Sequence, residues 1–157
     1  MVHKVYYSFD KNLLISTSEG ETKFWDLKNN NFKCIKIFYD IWTDYKNTLK
    51  RFDNEKIIIY NSFNENLTII SIETFEILFI IDNINECFSI EVFYNLGIFL
   101  IGKENDISIF NNNYNNIQII NDAHEDNING FVQLKNGDIL SFSNDENMKV
   151  WSFKITI

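Results

Sequence analysis

Leu134-Lys135-Asn136-Gly137-Asp138-Ile139-Leu140-Ser141-Phe142-Ser143-Asn144-Asp145-Glu146-Asn147-Met148-Lys149-Val150-Trp151 is the stretch on which the fold turns. After the Asn136-Gly137 turn it reads as an apolar strand, a short polar turn and a second strand ending in Lys-apolar-Trp. Asn-Gly is the strongest turn signal in the chain, because both residues tolerate the positive φ of tight reversals. The outline recurs near the other end, in Leu13-Leu14-Ile15-Ser16-Thr17-Ser18-Glu19-Gly20-Glu21-Thr22-Lys23-Phe24-Trp25-Asp26. Two weaker copies lie between them, over 56–70 and 97–110. Aligning the strand ends makes Trp25, Ile70, Phe110 and Trp151 equivalent, at spacings of 45, 40 and 41 residues.

Further strand-like runs lie at 32–38, 74–81 and 117–120. Each unit therefore reads as four short strands joined by Asn, Asp and Gly turns. The spacing predicts four units, over about 1–40, 41–82, 83–122 and 123–157, within a single domain. The extra residues of the second unit fall in a connection over 39–47.

Composition agrees with an all-β chain. Of 157 residues, 26 are Ile, 24 are Asn, one is Ala (Ala123) and none is Pro. Alanine is the best helix former, whereas β-branched and aromatic side chains suit a pleated sheet, so a helical bundle is disfavoured. A hydrophobic content of 45% with 16% aromatics is too apolar for disorder. Without proline, the turns fall to residues that tolerate positive φ. The net charge of −8 disfavours nucleic-acid backbones and anionic membranes, and leaves basic or neutral protein surfaces as expected partners. Apolar runs such as 57–60 are too short to span a bilayer, and the N-terminus has no signal-peptide pattern. Cys34 and Cys87 are far apart and no His cluster exists, so neither a disulfide nor a metal site is expected. The default expectation is a reducing, cytoplasmic setting with no cofactor.

The repeat resembles the WD-repeat (WD40-like) β-propeller family, whose signature is a period of 40–45 residues, four strands per unit and a Trp closing the third strand. The resemblance covers nearly the whole chain. It is specific in the fourth unit, fair in the first and degenerate in the middle two. It implies a partial or small β-propeller of about four four-stranded antiparallel blades, the last lacking a full outer strand. A β-sandwich is the remaining competitor.

His124, Ser141, Asp145 and Trp151 suggest a Ser-His-Asp catalytic set at first sight. The resemblance implies instead a structural hydrogen-bonded tetrad: Asp fixes the imidazole, the imidazole contacts the hydroxyl, and the hydroxyl meets the indole N–H. No Gly-x-Ser-x-Gly elbow accompanies the serine, and no catalytic residue is expected. In the other units the aligned hydroxyl positions are Ile15, Tyr60 and Leu100, and the aligned Asp positions are Glu19, Asn64 and Glu104. Those blades are expected to rely on apolar packing between neighbouring sheets.

Trp42 and Tyr45 lie in the long connection, followed by Lys50 and Arg51. They form a candidate partner-binding group, since exposed aromatics and Arg anchor interfaces; the competing reading folds Trp42 back onto a blade edge. The resemblance implies a non-catalytic protein–protein interaction scaffold. The alternative is a structural or vestigial propeller fragment that completes a larger propeller or a homo-oligomer, and an enzyme ranks below both. The chain is expected to fall one strand short of four blades. It could pair with itself or another propeller segment, belong to a longer polypeptide, or close imperfectly as a small ring.

Overall fold

The computed structural model describes residues 2–8, 10–28, 32–43 and 48–152. The candidate Tyr45 and the terminal stretch 153–157 lie outside the described residues. The described strands are β1 (Val2–Ser8), β2 (Leu13–Ser18), β3 (Glu21–Asp26), β4 (Lys33–Tyr39), β5 (Leu49–Arg51), β6 (Lys56–Asn61), β7 (Asn66–Ser71) and β8 (Ile77–Ile81). There follow β9 (Ser89–Phe93), β10 (Ile98–Gly102), β11 (Ile107–Asn111), β12 (Asn116–Ile120), β13 (Ile128–Gln133), β14 (Ile139–Ser143) and β15 (Met148–Trp151). They form four antiparallel meanders: β1-β2-β3-β4, β5-β6-β7-β8, β9-β10-β11-β12 and β13-β14-β15. The last sheet has three strands among the described residues. The protein is all-β, with a short 3-10 turn over Tyr94–Leu96.

The chain divides into two compact units, Met1–Ile84 and Asn85–Ile157. Each holds two sheets, and within each the sheets stack in the same sense. Opposed residues of antiparallel strands share a face. One face of each sheet therefore carries the strand-end residue with its partner: Trp25 with Leu14, Ile70 with Ile57, Phe110 with Phe99, and Trp151 with Ile139. In the first unit, the far face of sheet 1 (Leu13, Ile15, Phe24) packs into the strand-end face of sheet 2 (Leu49, Ile57, Ile59, Ile70). In the second unit, the far face of sheet 3 (Ile98, Leu100, Ile107, Ile109) packs into the strand-end face of sheet 4 (Phe131, Ile139). Burying each of these side chains contributes about 1.5–3 kcal/mol relative to leaving it in water. Edge-on contacts of Phe24 with Phe38 and Phe75, at 5.7 and 5.4 Å, complete the first core.

This register corrects the alignment of the hydroxyl positions. The residue that shares Ser141's place, opposite the strand residue two before the strand end, is Ser16 in sheet 1, Ile59 in sheet 2 and Ile101 in sheet 3. Ile15, Tyr60 and Leu100 each stand one residue away, on the other face. The turns between the second and third strands differ in length among the units, and a one-residue slip moves a side chain through the sheet.

The turns differ from expectation as well. Gly20, Gly97, Gly137, Asn12, Asp40, Asn83 and Asp122 adopt positive φ, but so do Glu65, Phe75, Glu86, Tyr114 and Glu146. The expected run at 74–81 shortens to β8, because the Ser71 hydroxyl accepts the N–H groups of Glu73 and Thr74 and turns the chain there. Phe75, just beyond, takes φ 55° and sends its ring into the first core.

Candidate functional site: a buried hydrogen-bonded chain in the fourth sheet

Sheet 4 holds the polar cluster. His124 precedes β13, Ser141 is central in β14, Asp145 lies in the turn to β15 and Trp151 ends β15. The imidazole joins two of them. His124 Nδ1 lies 2.9 Å from Asp145 Oδ2, and Nε2 lies 2.7 Å from Ser141 Oγ. The Trp151 indole N–H donates to the same Oγ at 2.9 Å. One neutral tautomer satisfies every contact: Nδ1–H donates to the carboxylate, Ser141 O–H donates to Nε2, and Oγ accepts the indole.

The turn geometry explains why the carboxylate stays ionised. Burial opposes the charge on Asp145, but the backbone N–H groups of Glu125 and Asn147 and the His124 ring outweigh it. Together they hold its carboxyl well below the usual carboxylate range. The Glu125 N–H donates to Oδ2 at 3.0 Å and the Asn147 N–H to Oδ1 at 2.9 Å. Two further ties were not legible as site residues. Lys149 Nζ donates to the Ala123 carbonyl at 2.6 Å, and Ser143 Oγ donates to the Asp126 carbonyl at 2.7 Å. Both anchor the segment carrying His124. The alternation of polar and apolar residues in β14 and β15 placed them on the sheet, but nothing in the pattern named their acceptors.

The connectivity matches a Ser-His-Asp triad, and the setting decides what it can do. Ser141 is 0% exposed and His124 is 2% exposed. A nucleophilic serine needs a free lone pair, an approach path and an oxyanion hole. Here Oγ already receives the indole N–H. The cluster is suited to fixing strand positions, as satisfied buried polar networks do.

The first sheet retains half of the same chain. Trp25 Nε1–H donates to Ser16 Oγ at 2.9 Å, with both side chains half-buried. In sheets 2 and 3 the corresponding residues are Ile59 with Ile70 and Ile101 with Phe110, all buried.

The architecture matches a known one. The fold matches about half of a WD40 β-propeller domain. A solved structure described as the WD40 β-propeller domain of Doa1 matches 98% of this chain with a TM-score of 0.76, at 22% sequence identity. The chain spans about half of that structure, 51% of its length. No family model matches the sequence, and no curated protein matches it.

Of the candidate partner-binding group, Trp42, Lys50 and Arg51 are described. Trp42 is half-buried, its ring centroid 6.2 Å from that of His3 in a tilted arrangement. Arg51 makes a two-pronged contact with Asp10, at 3.1 and 2.7 Å, and also binds the Asp53 carbonyl. The Arg51 guanidinium, with help from the Ser8 hydroxyl, holds the Asp10 carboxyl at about 2. Lys50 stands near Lys4, whose pKa is lowered by partial burial and by that neighbouring charge. Arg51 is thus committed to an internal pair in the first unit, and Tyr45 is outside the described residues.

Cys34 and Cys87 are both free thiols. Cys87 is fully buried, and burial pushes its thiol far above the ordinary range. Among the described residues, no three His, Cys, Asp or Glu side chains gather as a metal site, and no helix is long and apolar enough to cross a membrane.

Proposed function

We propose that the chain is a WD-repeat protein acting as a non-catalytic scaffold that binds another protein, of basic or neutral surface, in the cytoplasm. The observation carrying this reading is the closed state of the His124–Ser141–Asp145–Trp151 chain. This triad-like group spends its polar atoms on holding sheet 4 together. The propeller fold supports the class of role by analogy alone.

Two measurements test the reading. A fluorophosphonate probe should leave Ser141 unmodified in the folded protein, and rapid labelling there would favour a hydrolase. Immobilised protein should retain a protein partner, and Trp42→Ala should weaken that retention if the 39–47 connection forms the contact. Undiminished capture by the Trp42→Ala protein would remove this segment from the interface.

A second reading is favoured by a specific observation. One face of sheet 1 exposes Val5 and Tyr7, and one face of sheet 4 exposes Val132, Met148 and Val150, each by 43–72%, which suits a propeller segment that completes a larger assembly.

A further inference from the structure

Two of the 24 asparagines precede a glycine, Asn129 and Asn136. The pair carries a chemistry of its own. A glycine amide nitrogen has no Cβ beside it, so it can close a five-membered ring on the preceding carboxamide carbon, a reaction that makes asparagine thermolabile. Both sites lie in sheet 4, in opposite settings.

Asn129 is locked. It is the extra residue of an irregularity in β13, between Ile128, paired with Ser143, and Gly130, paired with Phe142. Its Nδ2 donates to Asn144 Oδ1 at 2.6 Å. Gly130 is buried against the Phe142 ring, where a Cβ would stand 2.5 Å from Cζ. Ring closure there needs both the strand and this packing to give way.

Asn136 is open. With Gly137 it forms the tip of the β13–β14 hairpin, and both residues are exposed. A Cβ on Gly137 would meet nothing within 4 Å. The Gly137 N–H donates to the Leu134 carbonyl at 3.0 Å, and the Leu134 N–H to the Asp138 carbonyl at 2.8 Å. The carboxamide is also polarised for attack. The Asp138 N–H donates at 3.2 Å to Asn136 Oδ1, the oxygen on which charge develops. The leaving nitrogen, Nδ2, donates to Asp138 Oδ2 at 2.7 Å.

We propose that Asn136 is a self-deamidation site whose conversion loosens its hairpin. Gly137 N loses its proton to solvent and bonds to Asn136 Cγ. The Cγ–Nδ2 bond breaks, and the nitrogen leaves as ammonia. Water then opens the ring at either carbonyl, leaving aspartate or isoaspartate. The co-reactant is water, and nothing is oxidised or reduced. The new carboxylate faces Asp138 Oδ2 where a donor stood, so attraction becomes repulsion. Asp138 Oδ1 accepts the Ser152 hydroxyl at 2.7 Å, so the modified turn also weakens the tie to the residue after β15.

The test is incubation of the full chain in mildly alkaline buffer, with and without urea, followed by tryptic mapping by mass spectrometry. The two sites fall in different peptides, 104–135 and 136–149. In the folded protein Asn136 should gain one dalton faster than Asn129 by about tenfold or more, because opening the strand is the costlier event. In urea the two rates should converge. Asn136→Gln should remove the fast gain from the 136–149 peptide, since its longer side chain closes a larger ring. Asn136→Asp, which carries the new charge alone, should melt below the wild type at neutral pH. Equal rates at the two sites in the folded protein overturn the proposal, as does a folded-state rate at Asn136 about tenfold or more below its rate in urea. A fast gain that persists in Asn136→Gln overturns the assignment to this residue, and an Asn136→Asp protein that melts with the wild type overturns the loosening of the turn.

Discussion

The Asp145 carboxylate organises the fourth sheet. It accepts two backbone N–H groups and the imidazole, so its removal strands three donors. Asp145→Ala should therefore lower the melting temperature more than Glu104→Ala, which alters an exposed side chain in the equivalent turn of sheet 3. Equal shifts would mean that the chain of hydrogen bonds carries no stability. The depressed pKa also fixes a pH dependence. A carboxyl held below its unfolded value of 3.8 contributes fully above that pH, and the contribution is lost as pH falls through the folded value. Wild-type protein should lose more thermal stability below pH 4 than Asp145→Asn, measured as melting temperature against pH. The tetrad was readable because each member has a distinctive side chain at a fixed spacing. Lys149 and Ser143 were not, since their acceptors are backbone carbonyls that no residue type announces.

At the level of strands, the two Trp–Ser pairs invite comparison. Ser141 is sealed, so losing the indole N–H leaves a buried acceptor short of a partner. Ser16 is half-buried, where water can replace the donor. Trp151→Phe should cost about 1 kcal/mol more than Trp25→Phe in denaturant unfolding, the worth of an ordinary hydrogen bond. The junction of sheets 3 and 4 has its own sensitive point. At Gly102 a Cβ would stand 2.7 Å from the Ile128 carbonyl oxygen and closer still to Ser89 Oγ, which itself donates to that carbonyl. Gly102→Ala should destabilise by about 1–3 kcal/mol through overpacking, read from the urea midpoint. Strand existence was legible from alternation and turn residues. Register was not. The Ser16 pairing depends on turn length, and a one-residue difference in that turn puts Ile15, on the opposite face, at the aligned hydroxyl position. Glu65, Phe75 and Tyr114 at positive φ were equally hidden, since nothing local marks them as turn residues.

Across the whole chain, the repeat period disclosed the four sheets because each unit carries an apolar strand pair ending in a large residue. Which faces remain open could not be read from it, as Val5 and Val150 look like any strand valine until the stacking sense is known. Outer strands add a second kind of exposure. In β8, Ile77, Leu78, Phe79 and Ile80 are 42–46% exposed along an edge strand. Such an edge is a template for non-native pairing, and Leu78→Lys should reduce light scattering on heating.

The contrast between the two thiols makes a clock. Cys34 is half-buried and Cys87 is fully enclosed. Thiolate is the species that alkylates, so iodoacetamide should modify Cys34 first and reach Cys87 only when the second unit opens. The ratio of the two labelling rates, followed by mass spectrometry through a denaturant series, then separates local breathing of that unit from global unfolding without any engineered probe.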